Sequence, residues 1–101
     1  MSSLEASPQV LTATVVEELR QLGRRYGIRN IRVFGSFARG EAGSTSDLDL
    51  LVDYVPGQKG FAFVHFCEEA EALLGRSVDV ATENSLHPLI RERVLAEALP
   101  L

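Results

Sequence analysis

Residues 33–52 read VFGSFARGEAGSTSDLDLLV, two short apolar runs separated by a polar segment that carries three glycines. The first run stops at Gly35-Ser36 and the second opens with Asp47-Leu48-Asp49. Carboxylates at i and i+2 of an extended chain point to the same side of a sheet. A glycine at a strand end lets the backbone approach a ligand closely, and a helical turn starting there favours anions. The stretch therefore predicts a strand–turn–strand unit in which an acidic edge faces an anion-binding turn. That is a site for a metal-bound phosphate, and the other segments read as its scaffold.

From about residue 12 to residue 26 the apolar spacing is helical. Leu11, Val15, Leu19, Leu22 and Tyr26 share one side, Glu17, Glu18, Gln21, Arg24 and Arg25 turn away, and Gly27 is placed to end the helix. Residues 31–34 form a short β-rich run, and Ser36-Phe37-Ala38-Arg39 suits a helical turn. The second strand covers residues 48–54. Leu48, Leu50 and Val52 face one way, and Asp47, Asp49, Leu51 and Asp53 the other. Leu51 among carboxylates predicts a central strand covered on both sides at its far end.

A loop at residues 56–60 leads to a helix over 61–74, with Phe63, Phe66, Cys67, Ala70, Leu73 and Leu74 on one stripe and Phe61 and Val64 off it. Gly75 ends that helix. SVDVAT, residues 77–82, is a third strand whose one charge is Asp79. Ser85 is read as the N-cap of a last helix, with Pro88 in its first turn. That helix shows two apolar edges, Leu86, Ile90 and Val94 on one and Leu95 and Leu99 on the other, and Pro100 stops it. The order α-β-β-α-β-α predicts an α/β (α+β) fold, a small mixed sheet of three or more strands packed with helices. Residues 1–10 read as a flexible tail and 11–101 as one domain.

Composition bounds the partners. A chain of 101 residues with 46% hydrophobic and 24% charged residues suits a single folded domain. Its formal net charge of -4 makes a nucleic-acid partner an unfavoured expectation. No apolar run is long enough to span a bilayer, and the first residues lack the basic and apolar blocks of a secretory signal. The single cysteine, Cys67, cannot form an internal disulfide, which agrees with a reducing compartment. A cytoplasmic location is expected.

Three carboxylates carry the candidate chemistry. If the strands of Asp49 and Asp79 are neighbours, both meet Asp47 at one sheet edge, where they repel unless a cation sits between them. Mg2+ fits, as a hard ion bound by a few carboxylates plus substrate phosphates, and a pair of such ions serves both attacking and leaving oxygens. Gly35 and Ser36 supply the phosphate side, with Arg39 one turn on. Residues 35–40 also have the G-x-x-x-x-G frame of a Walker A loop, but Glu41-Ala42 stands where Lys-Ser/Thr is required, so that reading fails. His65 and His87 are expected to be surface or helix-start residues, Cys67 a core residue, and Lys59 a solvated loop residue. Phe61, Val64, Leu95 and Leu99 are candidates to face a partner.

Gly35-Ser36, ten residues, then Asp47-x-Asp49 resembles the signature of the DNA-polymerase-beta-like nucleotidyltransferases. The fuller string GSFARGEAGSTSDLDLLVDY, with GRSVDVAT and the HPLIRERVLAEALPL tail, is similar to the smallest branch, the minimal nucleotidyltransferase antitoxins encoded beside HEPN-type toxins. The resemblance implies that Asp47 and Asp49 bind a pair of Mg2+ ions, that Asp79 is the third acid, and that Gly35, Ser36 and Arg39 hold the triphosphate. It implies transfer of AMP from ATP, with release of pyrophosphate, to a tyrosine hydroxyl of a partner toxin in a hetero-oligomer. Other functions fit parts of the pattern: steric neutralisation of a toxin without catalysis, or nucleotidyl transfer to a small molecule, which needs an added acceptor pocket. Nucleic-acid tailing is disfavoured by the acidic balance.

Overall fold

The first helix, α1 (Ala13–Tyr26), is set by its ends. The Thr12 side chain accepts a hydrogen bond from the Val15 N–H, Arg24 and Arg25 sit in the last turn, and Gly27 closes it with a left-handed φ of 74°. Each device satisfies end groups the helix leaves unpaired or complements its dipole. The computed structural model describes residues 11–43, 45–54, 57 and 60–101. The expected tail at residues 1–10, and Lys59, lie outside the described residues.

Four strands form one sheet in the order β3-β2-β1-β4. Strand β1 (Ile28–Phe34) runs antiparallel to β2 (Leu48–Tyr54). Helix α2 (Gly60–Leu74) then carries the chain across to β3 (Val78–Ala81), which lies parallel to β2. A parallel neighbour requires such a crossover, because a tight turn can only reverse direction. The observed order contains the expected α-β-β-α-β-α succession.

The alternation along β2 decides the layers. Leu48, Leu50 and Val52 are fully buried and pack with Leu19 and Leu22 of α1 and Phe66, Ala70 and Leu74 of α2. Leu51, on the opposite face, is equally buried, in a second cluster with Leu86 and with Val94 of helix α3 (Pro88–Glu97). The sheet is thus covered on both faces at this point, as Leu51 predicts. Phe61 and Val64 remain 62% and 54% exposed, off the packed stripe of α2 as their spacing requires. A hydrogen bond from the Tyr26 hydroxyl to Glu69 ties α1 to α2.

Three details depart from the sequence reading. Strand β1 begins at Ile28 rather than residue 31. Polar Arg29 and Asn30 hide that start, because the β1–β2 register shifts between Arg29 and Arg32 and Asn30 takes a φ of 52°. Ser85 is not the cap of the last helix. It closes a 3-10 turn (Glu83–Ser85), where its hydroxyl donates to the Thr82 carbonyl and accepts the Thr82 N–H. His87 caps α3 instead, its Nδ1 accepting from the Leu89 N–H, with Pro88 first inside. Leu99 does not lie on α3. With Pro100 it forms a short edge strand, β4, paired antiparallel to β1. At an edge the missing N–H of proline costs no ladder bond. Among the described residues, no helix is long and apolar enough to cross a membrane.

Candidate active site

Strand β1 ends against the acidic edge. Gly35, immediately after it, has a φ of 72°, a conformation that L side chains resist. A Cβ at this position would fall 2.2 Å from Asp49 Oδ2. Glycine is therefore required twice here, for the backbone turn and for the close approach to the carboxylate. The chain then winds through one helical turn, with the Arg39 N–H donating to the Gly35 carbonyl at 3.1 Å and the Glu41 N–H to that of Ser36 at 2.8 Å.

The carboxylates are aimed by their apolar neighbours. Leu48 and Leu50 are fully buried on the α1/α2 face, so Asp49 between them, and Asp47 just before the strand, must point to the other. Register then adds the third acid, because Asp49 pairs with Asp79 across the parallel β2–β3 ladder. Burial holds the Asp49 carboxyl above the ordinary range, and the charges of Asp79 and then Asp47 raise it further, against a smaller lowering by Arg39. Asp49 thus feels both other acids, the result that strand adjacency was expected to give.

The donor set suits a hard divalent ion. It is made of oxygens alone, and burial, followed by the charges of Asp79 and Asp47, disfavours the charged form of Asp49, a condition a cation relieves. Among the described residues no three acidic, histidine or cysteine side chains are grouped so that they could hold a metal ion by themselves. An ion bound here would therefore have to draw further ligands from water and substrate oxygens.

Arg39 lies beside this edge. Its Nε donates to Glu41 at 2.8 Å, and its Nη1 reaches both oxygens of Glu97 at 3.3 and 3.4 Å. Glu41 first and Glu97 second push its guanidinium further above its ordinary range. Glu97 also accepts the Gly35 N–H at 2.8 Å. Sequence reasoning missed Glu97, since no local pattern links the last residue of α3 to a turn 62 positions earlier.

It also missed Arg76. This residue follows the α2 cap, donates to the carbonyls of Gly43 and Ser46 at 3.3 and 2.9 Å, and lies over the Phe37 ring at 5.0 Å. It fixes the loop from which Asp47 emerges. The remaining candidates stay apart from the acids: His65 packs its ring on Tyr26 and Phe61, and His87 is spent on the α3 cap. Cys67 is half-buried, its thiol pushed up chiefly by burial.

With this geometry in place, comparison with known proteins is specific. Residues 13–101 match the nucleotidyltransferase domain family. The protein adenylyltransferase MntA of Thermococcus cleftensis is 40% identical over 99 residues, covering 98% of this chain and 96% of the relative. A solved structure described as a minimal nucleotidyltransferase is 45% identical, with a TM-score of 0.77 over 88% of this chain and 90% of that one. A chain of the complex between the tri-AMPylated Shewanella oneidensis HEPN toxin and its MNT antitoxin shares the fold. Its TM-score is 0.64 at 16% identity, covering 89% of this chain and 71% of that one.

Proposed function

The chain belongs to the nucleotidyltransferase domain family, and from that premise we propose that it transfers AMP from ATP to a hydroxyl of a HEPN-type toxin, acting as the antitoxin of the pair. The observation that carries the reading is the register match of Asp49 with Asp79, beside Asp47 and against the Gly35 turn. That juxtaposition puts acidic groups and an anion seat a few ångströms apart. The protein-modifying activity of the MntA relative supports the choice of acceptor class. The AMP-bearing HEPN toxin of the Shewanella complex supports the partner and the group transferred.

In this reading Asp47, Asp49 and Asp79 hold Mg2+, which when bound offsets the charge of carboxylates and phosphates. Gly35, Ser36 and Arg39 hold the β- and γ-phosphates. The acceptor, read as a tyrosine hydroxyl, forms an O–P bond to the α-phosphorus while the bond to the bridging oxygen breaks and pyrophosphate leaves. Asp79, exposed at the outer strand, takes the acceptor's proton. Positioning and charge stabilisation supply the catalysis. In this reading the acceptor's own protein completes the site.

The test is label transfer. Incubated with ATP labelled at the α-phosphate, Mg2+ and the protein encoded beside it, this chain should label that protein on tyrosine. The Asp47→Asn/Asp49→Asn double variant should lose both labelling and neutralisation. Neutralisation that survives in the double variant would instead establish steric binding, and label on a small molecule alone would overturn the protein acceptor.

A further inference from the structure

Glu97 sits where the proposed function needs a phosphate. Its carboxylate accepts the Gly35 N–H at 2.8 Å and faces Arg39 Nη1 at 3.3 and 3.4 Å. These are two of the groups assigned to the triphosphate. Its own helix gives it no reason to be there. Glu97 is the last residue of α3, and that helix has no basic residue in its last turn. A carboxylate at a helix C-terminus faces the negative end of the dipole. What holds it lies across the fold, at the turn after β1.

We propose that Glu97 is an affinity-setting residue of the nucleotide site: its carboxylate competes with the nucleotide for the phosphate seat at Gly35 and Arg39 and must leave when the nucleotide binds. This rests on the nucleotidyl-transfer reading of the site. A backbone N–H donates one good hydrogen bond, so Glu97 and a phosphate oxygen exclude each other at Gly35. The two anions also compete for one guanidinium, which Glu41 already shares. The side chain is only 19% exposed, so the contact excludes much of the water that would weaken it.

The experiment is calorimetric binding of AMP-PNP with Mg2+ to the wild type, Glu97→Ala and Glu97→Gln. Freeing the seat should tighten binding by roughly tenfold in Glu97→Ala, the scale of one hydrogen bond to a charged group. Glu97→Gln keeps the size and an acceptor for Gly35 but loses the charge, and should fall between; it also carries the test if the alanine variant unfolds. Unchanged or weaker binding in both variants overturns the proposal, since a glutamate that merely orients Arg39 for phosphate gives that result. Absence of AMP-PNP binding in the wild type as well as the variants overturns the nucleotide-transfer reading itself.

Discussion

Asp49 on β2 and Asp79 on β3 are register partners across a parallel strand pair, and Asp79, after burial, is the largest influence holding the Asp49 carboxyl above its ordinary range. The same pairing that builds the sheet therefore builds an electrostatic conflict, relieved by a cation or a proton. Its consequences are measurable.

Asp49→Asn should lower AMP transfer at least about a hundredfold, since loss even of the outer partners of metal ligands costs about 10–100-fold. Stability should move the other way. A carboxyl whose folded pKa is raised binds its proton more tightly in the folded state, so its contribution falls as pH rises through the window above about 3.9. In EDTA at neutral pH the asparagine variant should melt above the wild type. The difference should narrow as pH falls through the raised folded pKa of Asp49 and close below about 3.9, where the unfolded carboxyl is protonated too. A variant that melts below wild type across that range would remove the conflict as an explanation.

Gly35→Ala should be destabilised by about 1–3 kcal/mol from backbone conformation alone, with the steric demand of Asp49 Oδ2 added. Nucleotide binding should fall with it, because Asp49 or the turn must shift. Denaturant unfolding with an unchanged m-value, alongside AMP-PNP titration, reads both effects.

Arg76→Ala should cost about 1.5–3 kcal/mol, the range for hydrogen bonds to a charged group, and should reduce transfer although Arg76 touches no proposed ligand. Lysine should rescue poorly, since an ammonium on a flexible stem lacks the planar face that lies over Phe37 while Nη1 reaches Gly43 and Ser46. A lysine variant with full activity and wild-type melting would show that charge alone suffices.

Leu51→Ala should destabilise by about 2–5 kcal/mol through the cavity it leaves. It should also loosen α3 specifically, because Leu51 joins Leu86 and Val94 beneath that helix. Faster amide exchange in α3 than in α1 and α2 is the expected signature.

The scaffold was largely legible from alternation and caps. The period of two along residues 48–52 separates Leu48, Leu50 and Val52 from Asp49 and Leu51, and burial of both sets follows it. Gly27 and Gly75 end their helices with positive φ as placed. Ser85 misled because its hydroxyl serves the turn before the helix, and a serine suits both roles. Leu99 misled because helical spacing continues past the true end of α3, and only pairing with Val33 draws it into the sheet.

Backbone periodicity along the chain settles which residues can share a face: Asp47 with Asp49, the acids opposite the leucines, and a glycine where a strand must turn. Those are short-range consequences of backbone periodicity and sterics, written within a few residues. Which separate segments meet follows from packing instead. The α2 crossover brings Asp79 beside Asp49, the Arg76 guanidinium closes on the loop before Asp47, and α3 delivers Glu97 to the Gly35 N–H. Such encounters depend on the packing of both sheet faces at once, and no local pattern encodes them.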